Sequence, residues 1–201
     1  MSAPEPRIAP LAPQEWGEDA VAALRGAFGD AAAERMLAAG PDVPHVPNVL
    51  TTMMRHPKLA GPFLIYNAVL LNAPSIDPRL RELMILRVAS RTRAPYEWIQ
   101  HVRMGRSLGL SDDELDALAN DDASFAWSPL EADLLAATDQ LLDHYRIDDD
   151  TWARLAEHLD ERQLFEITFV VGTYTGLAMA FNTFGIELDP ELHDIAPQLP
   201  D

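Results

Sequence analysis

Glu97 and His101 stand four residues apart in Tyr96-Glu97-Trp98-Ile99-Gln100-His101-Val102-Arg103-Met104-Gly105-Arg106-Ser107-Leu108-Gly109, a spacing that puts both side chains on one face of a helix. On a wheel of about 3.6 residues per turn, Trp98, Val102, Met104, Gly105 and Leu108 share one arc and Gln100, Arg103 and Ser107 the opposite one. Glu97 and His101 fall in the apolar arc. A carboxyl and an imidazole on a buried face are costly unless paired or used. Together they have the makings of a general acid–base site: a hydrogen-bonded carboxylate raises imidazole basicity and fixes its tautomer, and burial raises the pKa of a carboxyl. The same pair also fits a satisfied packing contact.

A second carboxyl is out of place in the preceding helical stretch, Leu80-Arg81-Glu82-Leu83-Met84-Ile85-Leu86-Arg87-Val88-Ala89. Glu82 sits among Ile85, Leu86 and Ala89, with Arg79 and Arg93 at nearby wheel angles as structural partners. A tight antiparallel hairpin does not bring it level with His101, because at about 1.5 Å per residue the two lie at different distances from the turn. Glu82, Glu97 and His101 have the right ligand types for a metal, but one histidine without a second at helical spacing is a poor set. The site is therefore expected to hold no metal and no cofactor. His45, His56, His144, His158 and His193 are scattered without ligand spacing. Tyr174 and Asn182, polar groups in an apolar segment, are candidates to line a pocket or to bridge helices.

The positions of these residues depend on elements that the sequence marks clearly. Asp77-Pro78 is an N-cap followed by proline at the first helical position, opening a helix from Pro78 to Ser90 or Arg93. Pro95 separates it from the helix beginning near Tyr96. Ser111–Glu114 and Ser128–Glu131 have capping-box spacing and start helices over 112–120 and 129–145. Another covers Trp152 to His158. Upstream, Glu15 to Ala39 reads as one alanine-rich helix, Pro41 to Pro47 as a stiff connector, and Asn48–His56 and Lys58–Asn72 as helices. The last of these carries Leu59, Phe63, Tyr66 and Leu70 on one side. Glu161 to Phe184 is apolar nearly all round and must be buried centrally or in a subunit interface. No strand alternation competes, so the chain is all-α. Residues 1–45 form an arm, a helix and a connector, 46–189 the helical domain, and 190–201 a tail.

The 201 residues are 48% hydrophobic, ample for a core, and carry a formal charge of −17. That charge argues against nucleic acid as a partner and leaves an anionic substrate dependent on local arginines. There is no cysteine, which removes disulfides, thiolate ligands and thiol chemistry. No apolar run reaches the about 18–20 residues of a membrane span, and the first residues lack the apolar core of a secretory signal. A cytoplasmic protein without a membrane partner is expected.

The elements Arg81-Glu82-Leu83, Leu86-Arg87-Val88-Ala89, Tyr96-Glu97-Trp98, His101 and Gly109-Leu110-Ser111 through Glu114, taken in order, resemble the carboxymuconolactone decarboxylase family, which includes the alkylhydroperoxidase-D-like proteins. The similarity extends from Val46-Pro47-Asn48 to Gly185-Ile186. It implies a compact helical bundle of about eight to nine helices that assembles as a dimer, trimer or hexamer. In the peroxidase-like branch the motif CxxCxxxH works with an upstream glutamate. Ala94 and Glu97 occupy the two cysteine positions here and Glu82 the glutamate position, so thiol peroxidase activity is excluded. The resemblance implies a cofactor-free lyase or related proton-transfer enzyme acting on a small oxygenated ring or lactone acid, as in aromatic catabolism. His101 would be the acid–base, Glu97 would orient it or share the proton, and Glu82 would complete a relay. Arg81, Arg87 or Arg93, with Tyr96, Trp98, Tyr174 and Asn182, are the candidate substrate contacts. The alternative is a noncatalytic or ligand-binding oligomer that keeps the fold.

Overall fold

The computed structural model describes residues 5–38 and 45–200. Among these residues there are ten α-helices, two short 3-10 turns and no strand. They divide into two compact units, one running up to Ala73 and taking in Thr183–His193, the other Pro74–Asn182 with the residues from Asp194 onward.

In the first unit the expected single helix from Glu15 to Ala39 is two, α1 (Glu18–Phe28) and α2 (Asp30–Leu37). The break is Gly29, whose φ of 80° lies in the left-handed region that a residue without Cβ adopts freely. Helices α3 (Asn48–Met53) and α4 (Pro57–Asn72) follow. Most of the expected connector, 41–44, lies outside the described residues. The stretch before α1 is held by its backbone: the Leu11 amide donates to the Thr51 carbonyl at 3.1 Å, and the Arg55 guanidinium donates to the Ala9 carbonyl at 3.0 Å. Trp16, Ala20, Leu24, Leu50, Met54 and Leu64 form the core.

Of the side of α4 that carries Leu59, Phe63, Tyr66 and Leu70, only Leu70 is buried. Ala60, Gly61, Leu64 and Leu70 are inside, while Leu59 is 65% exposed. The reason is close packing against α1: a Cβ at Gly61 would lie 3.1 Å from Ala23 Cβ and 3.4 Å from Ala23 Cα, so small residues decide which face approaches. Gly61→Val is expected to force the two helices apart at a cost of about 1–3 kcal/mol, read as a lower midpoint in urea unfolding.

The second unit holds α5 (Pro78–Arg91), α6 (Pro95–Ser107), α7 (Asp112–Ala119), α8 (Pro129–His144), α9 (Asp149–Ala156) and α10 (Glu161–Phe184), of which the last two residues belong to the first unit. Helix α5 is the centre, with Leu83, Met84, Ile85, Leu86, Val88 and Ala89 fully buried. Its N-cap Asp77 accepts from the Arg79 and Leu80 amides. Both capping boxes form, Ser111 with Glu114 and Ser128 with Glu131. Arg79 bonds both of those glutamates, which fastens the starts of α7 and α8 to the start of α5.

Helix α10 corrects the statement that no segment is long and apolar enough to cross a membrane. By length and composition it is, with 44% of its apolar window buried. Its inner face, including Ile167, Val170, Tyr174, Leu177 and Phe181, is buried. Its outer face is not.

Candidate functional site

The site lies where α5 faces α6. Glu82 is fully buried and each of its oxygens is occupied. Oε1 accepts from the Arg81 guanidinium, Nε at 3.0 Å and Nη2 at 2.6 Å. Oε2 is 2.6 Å from His101 Nδ1. A strict antiparallel register would leave Glu82 about 4–5 Å beyond His101 at 1.5 Å per residue, and the length of the two side chains spans that gap. The partner of Glu82 is thus neither Arg79 nor Arg93. Arg79 is engaged at α7 and α8, and Arg93 sits in the connector with φ 50°.

Glu97 and His101 are both buried, as their wheel positions require. Yet Glu97 does not bond His101. Both carboxyl oxygens are buried and neither has a hydrogen-bond partner. The expectation that Glu97 orients the imidazole is therefore corrected: Glu82 takes that position. Side chains at i and i+4 can meet, but here the imidazole turns toward α5, where an ionised, charge-paired carboxylate is the stronger acceptor.

The two carboxyls differ in protonation. Burial works against the charge of Glu82, but His101 and Arg81 outweigh it and hold the carboxyl below its usual range. At Glu97 burial acts alone and pushes the carboxyl well above that range. Two carboxyls with pKa values driven apart are the arrangement that separates an acid from a base. Because Glu82 is ionised, Nδ1 of His101 carries the proton of the shared bond, and proton exchange with any other molecule falls to Nε2. The Tyr174 ring packs edge-on to the imidazole, with centroids 4.9 Å apart and planes at 88°, and fixes the imidazole plane from α10.

The other candidate residues have different partners. The Trp98 indole donates to the Pro197 carbonyl at 2.7 Å. Tyr96 packs edge-on to Phe181 and its hydroxyl accepts from Gln100. Asn182 donates to the Thr92 carbonyl. Arg87 bonds Asp139 and Asp121, beside a cavity of about 200 Å³ that includes Trp127 and Leu135 in its lining. Among the described residues no group of three histidine or carboxylate side chains is arranged to hold a metal ion. Among the candidate substrate contacts, Arg81 bonds Glu82 and Tyr174 packs against His101.

The model of the carboxymuconolactone decarboxylase family matches residues 57–140, a stretch that contains Arg81, Glu82, Glu97 and His101. That segment is similar to the carboxymuconolactone decarboxylase family over somewhat less than half of the chain. Solved structures extend the likeness in fold across nearly the whole chain. A peroxidase-related protein from Ralstonia eutropha with an alkylhydroperoxidase core superposes with a TM-score of 0.76 at 16% identity, covering 94% of this chain and 95% of that one. The debrominase Bmp8, solved with 2,3,4-tribromopyrrole, gives 0.69 at 16% identity with the same coverage of both chains. A protein from Agrobacterium tumefaciens described as a putative antioxidant defence protein gives 0.63 at 17%, covering 68% of this chain and 94% of that one. No curated protein matches the sequence. The chain has no cysteine, so no thiol takes part in any chemistry at this site.

Proposed function

We propose that this protein is a cofactor-free proton-transfer enzyme, a decarboxylase-type lyase acting on a small oxygenated ring or lactone acid. The observation that carries the reading is the 2.6 Å contact between His101 Nδ1 and Glu82 Oε2 in a buried site, with Glu97, whose carboxyl burial pushes well above its usual range, one helical turn away. In such a reaction the bond to the departing carboxylate breaks and CO2 leaves. The electron pair is delocalised into the ring carbonyl as an enolate. His101, as imidazolium, delivers its Nε2 proton to carbon and is reprotonated from water. Glu82 stabilises the imidazolium, and Glu97 in its acid form donates a hydrogen bond to the enolate oxygen. The thiol route is closed, so neither a peroxidase nor a debrominase activity that needs cysteine is carried over from the fold relatives.

His101→Gln keeps a side chain of similar size without the proton relay. Assayed against a panel of lactone acids with CO2 release as the readout, it should lower kcat by about 10²–10⁴-fold. Full retained activity in the variant would remove the proposal. If the parent turns over no member of the panel and the variant only loses stability, the buried Arg81–Glu82–His101 chain is a packing element of a noncatalytic oligomer.

A further inference from the structure

The ion pairs of α5 leave little positive charge for a ligand. Arg79 bonds Glu114 and Glu131, Arg87 bonds Asp121 and Asp139, and Arg91 bonds Asp139 and Asp143. Arg81, the arginine buried in the acid–base site, gives two nitrogens to Glu82. On α6, Arg106 bonds Asp112, and Arg103 is exposed and donates to Gln100. Arg93 is exposed in the connector. The one lysine of the chain, Lys58, belongs to the first unit.

The charge inside the site is then set by Arg81, Glu82, Glu97 and His101. Arg81 and Glu82 cancel. Glu97 in its acid form adds none, and both its oxygens are buried without a partner, where a bare charge is costly. His101 adds one positive charge as the imidazolium that delivers the proton, and none afterwards. A single substrate carboxylate brings the loaded site to zero. A second would leave a net negative charge where Glu82 is fully buried and His101 is 5% exposed, and an uncompensated buried charge is strongly unfavourable.

We infer, on the strength of the acid–base reading above, that the substrate is a monoanion: its one charged group is the carboxylate that leaves, and every ring substituent that enters the site with it is uncharged. The balance holds at each step. Carboxylate and imidazolium enter as a pair. When the carbon–carboxyl bond breaks, its electron pair stays on the ring as the enolate, still opposite the imidazolium, and CO2 departs uncharged. Transfer of the Nε2 proton to carbon leaves a neutral product beside a neutral imidazole. A second carboxylate would add the same negative charge at every step, so it acts on binding. Arg93 and Arg103 do not alter this, because a charge pair in water contributes little. The overall charge of −17 works in the same direction, repelling a dianion about twice as strongly as a monoanion.

Calorimetric titration of the full chain with saturated γ-lactone acids whose carboxyl is not β to the carbonyl, and which therefore bind without losing CO2, separates this preference from turnover. The monocarboxylate should bind about 100-fold or more tightly than the dicarboxylate of the same ring. The analogue with a carboxamide in place of the second carboxylate, similar in size and uncharged, should bind like the monocarboxylate. Glu82→Gln, which removes one negative charge and keeps the shape, should narrow the gap between monocarboxylate and dicarboxylate by about tenfold or more with unchanged circular dichroism. A dicarboxylate that binds the parent as tightly as the monocarboxylate overturns the inference. So does a carboxamide bound as weakly as the dicarboxylate, a gap that a folded Glu82→Gln leaves unchanged, or a monocarboxylate that does not bind. The expected preference with no CO2 released from any unsaturated lactone acid would instead remove the catalytic reading and leave the charge selection standing.

Discussion

Glu82→Leu is expected to lower stability by about 3–5 kcal/mol, the cost of removing one member of a buried ion pair while leaving the other behind. Arg81 is only 5% exposed at its side chain and loses a two-nitrogen contact, and His101 loses the acceptor of its Nδ1 proton. The pH dependence distinguishes this from lost packing. Glu82 has a folded pKa below the ordinary glutamate value of 4.5, so it contributes stability above pH 4.5 that is lost as pH falls through the folded value. The difference between parent and variant, measured by urea unfolding, should therefore be full at pH 7 and shrink below 4.5. A difference that stays constant between pH 7 and pH 3 would mean that the carboxylate contributes shape and not charge. Replacing Arg81 and Glu82 together by methionine and leucine should recover much of the loss, since the cost lies in breaking one half of a buried ion pair.

Most of the helices were legible in the sequence because their ends carry local chemistry. Asp77-Pro78, Pro95, Ser111–Glu114 and Ser128–Glu131 act within a few residues of themselves, and no tertiary contact is needed to read them. Where the determinant is a partner helix, the sequence says nothing. The buried side of α4 is set by Ala23 opposite Gly61, and nothing within α4 says so. The site divides in the same way. Periodicity alone puts Glu82, Glu97 and His101 on apolar faces, and the structure has all three buried. It could not reveal which carboxyl the imidazole chooses. Neighbours in sequence point about 100° apart on a helix and do not normally meet, so Arg81 gave no sign of being the partner of Glu82. The flexible stem of arginine lets the guanidinium fold back, a freedom that a wheel drawn from Cβ directions omits. The family resemblance supplied the importance of the Glu82 position, and the length of two side chains supplied the reach.

Glu97→Met should make the protein more stable and less active at once. Methionine fills nearly the same volume and removes two buried oxygens that have no hydrogen-bond partner, each of which costs about 1–3 kcal/mol when left unmet. The sign of the pH effect is opposite to that at Glu82. Glu97 has a folded pKa well above 4.5 because burial disfavours its charge. Below 4.5 the folded and unfolded chains are both protonated there and the group costs nothing extra in charge. As pH rises through 4.5 the unfolded chain releases its proton while the folded chain keeps its own, and the folded state loses ground until the folded pKa is passed. The advantage of Glu97→Met over the parent should accordingly grow from pH 4.5 upward, as measured by unfolding at pH 4, 6 and 8. A variant that is less stable than the parent at pH 8 would show that the carboxyl has a stabilising partner. On the activity side, a neutral acid that donates to the enolate is worth about 10²-fold or more, and that contribution should vanish together with the destabilisation. A carboxyl that weakens the fold at the pH where the fold must work is understandable if the site needs its proton. Glu97→Met separates these two properties in a single substitution, because only the catalytic reading requires that the gain in stability be accompanied by a loss of turnover.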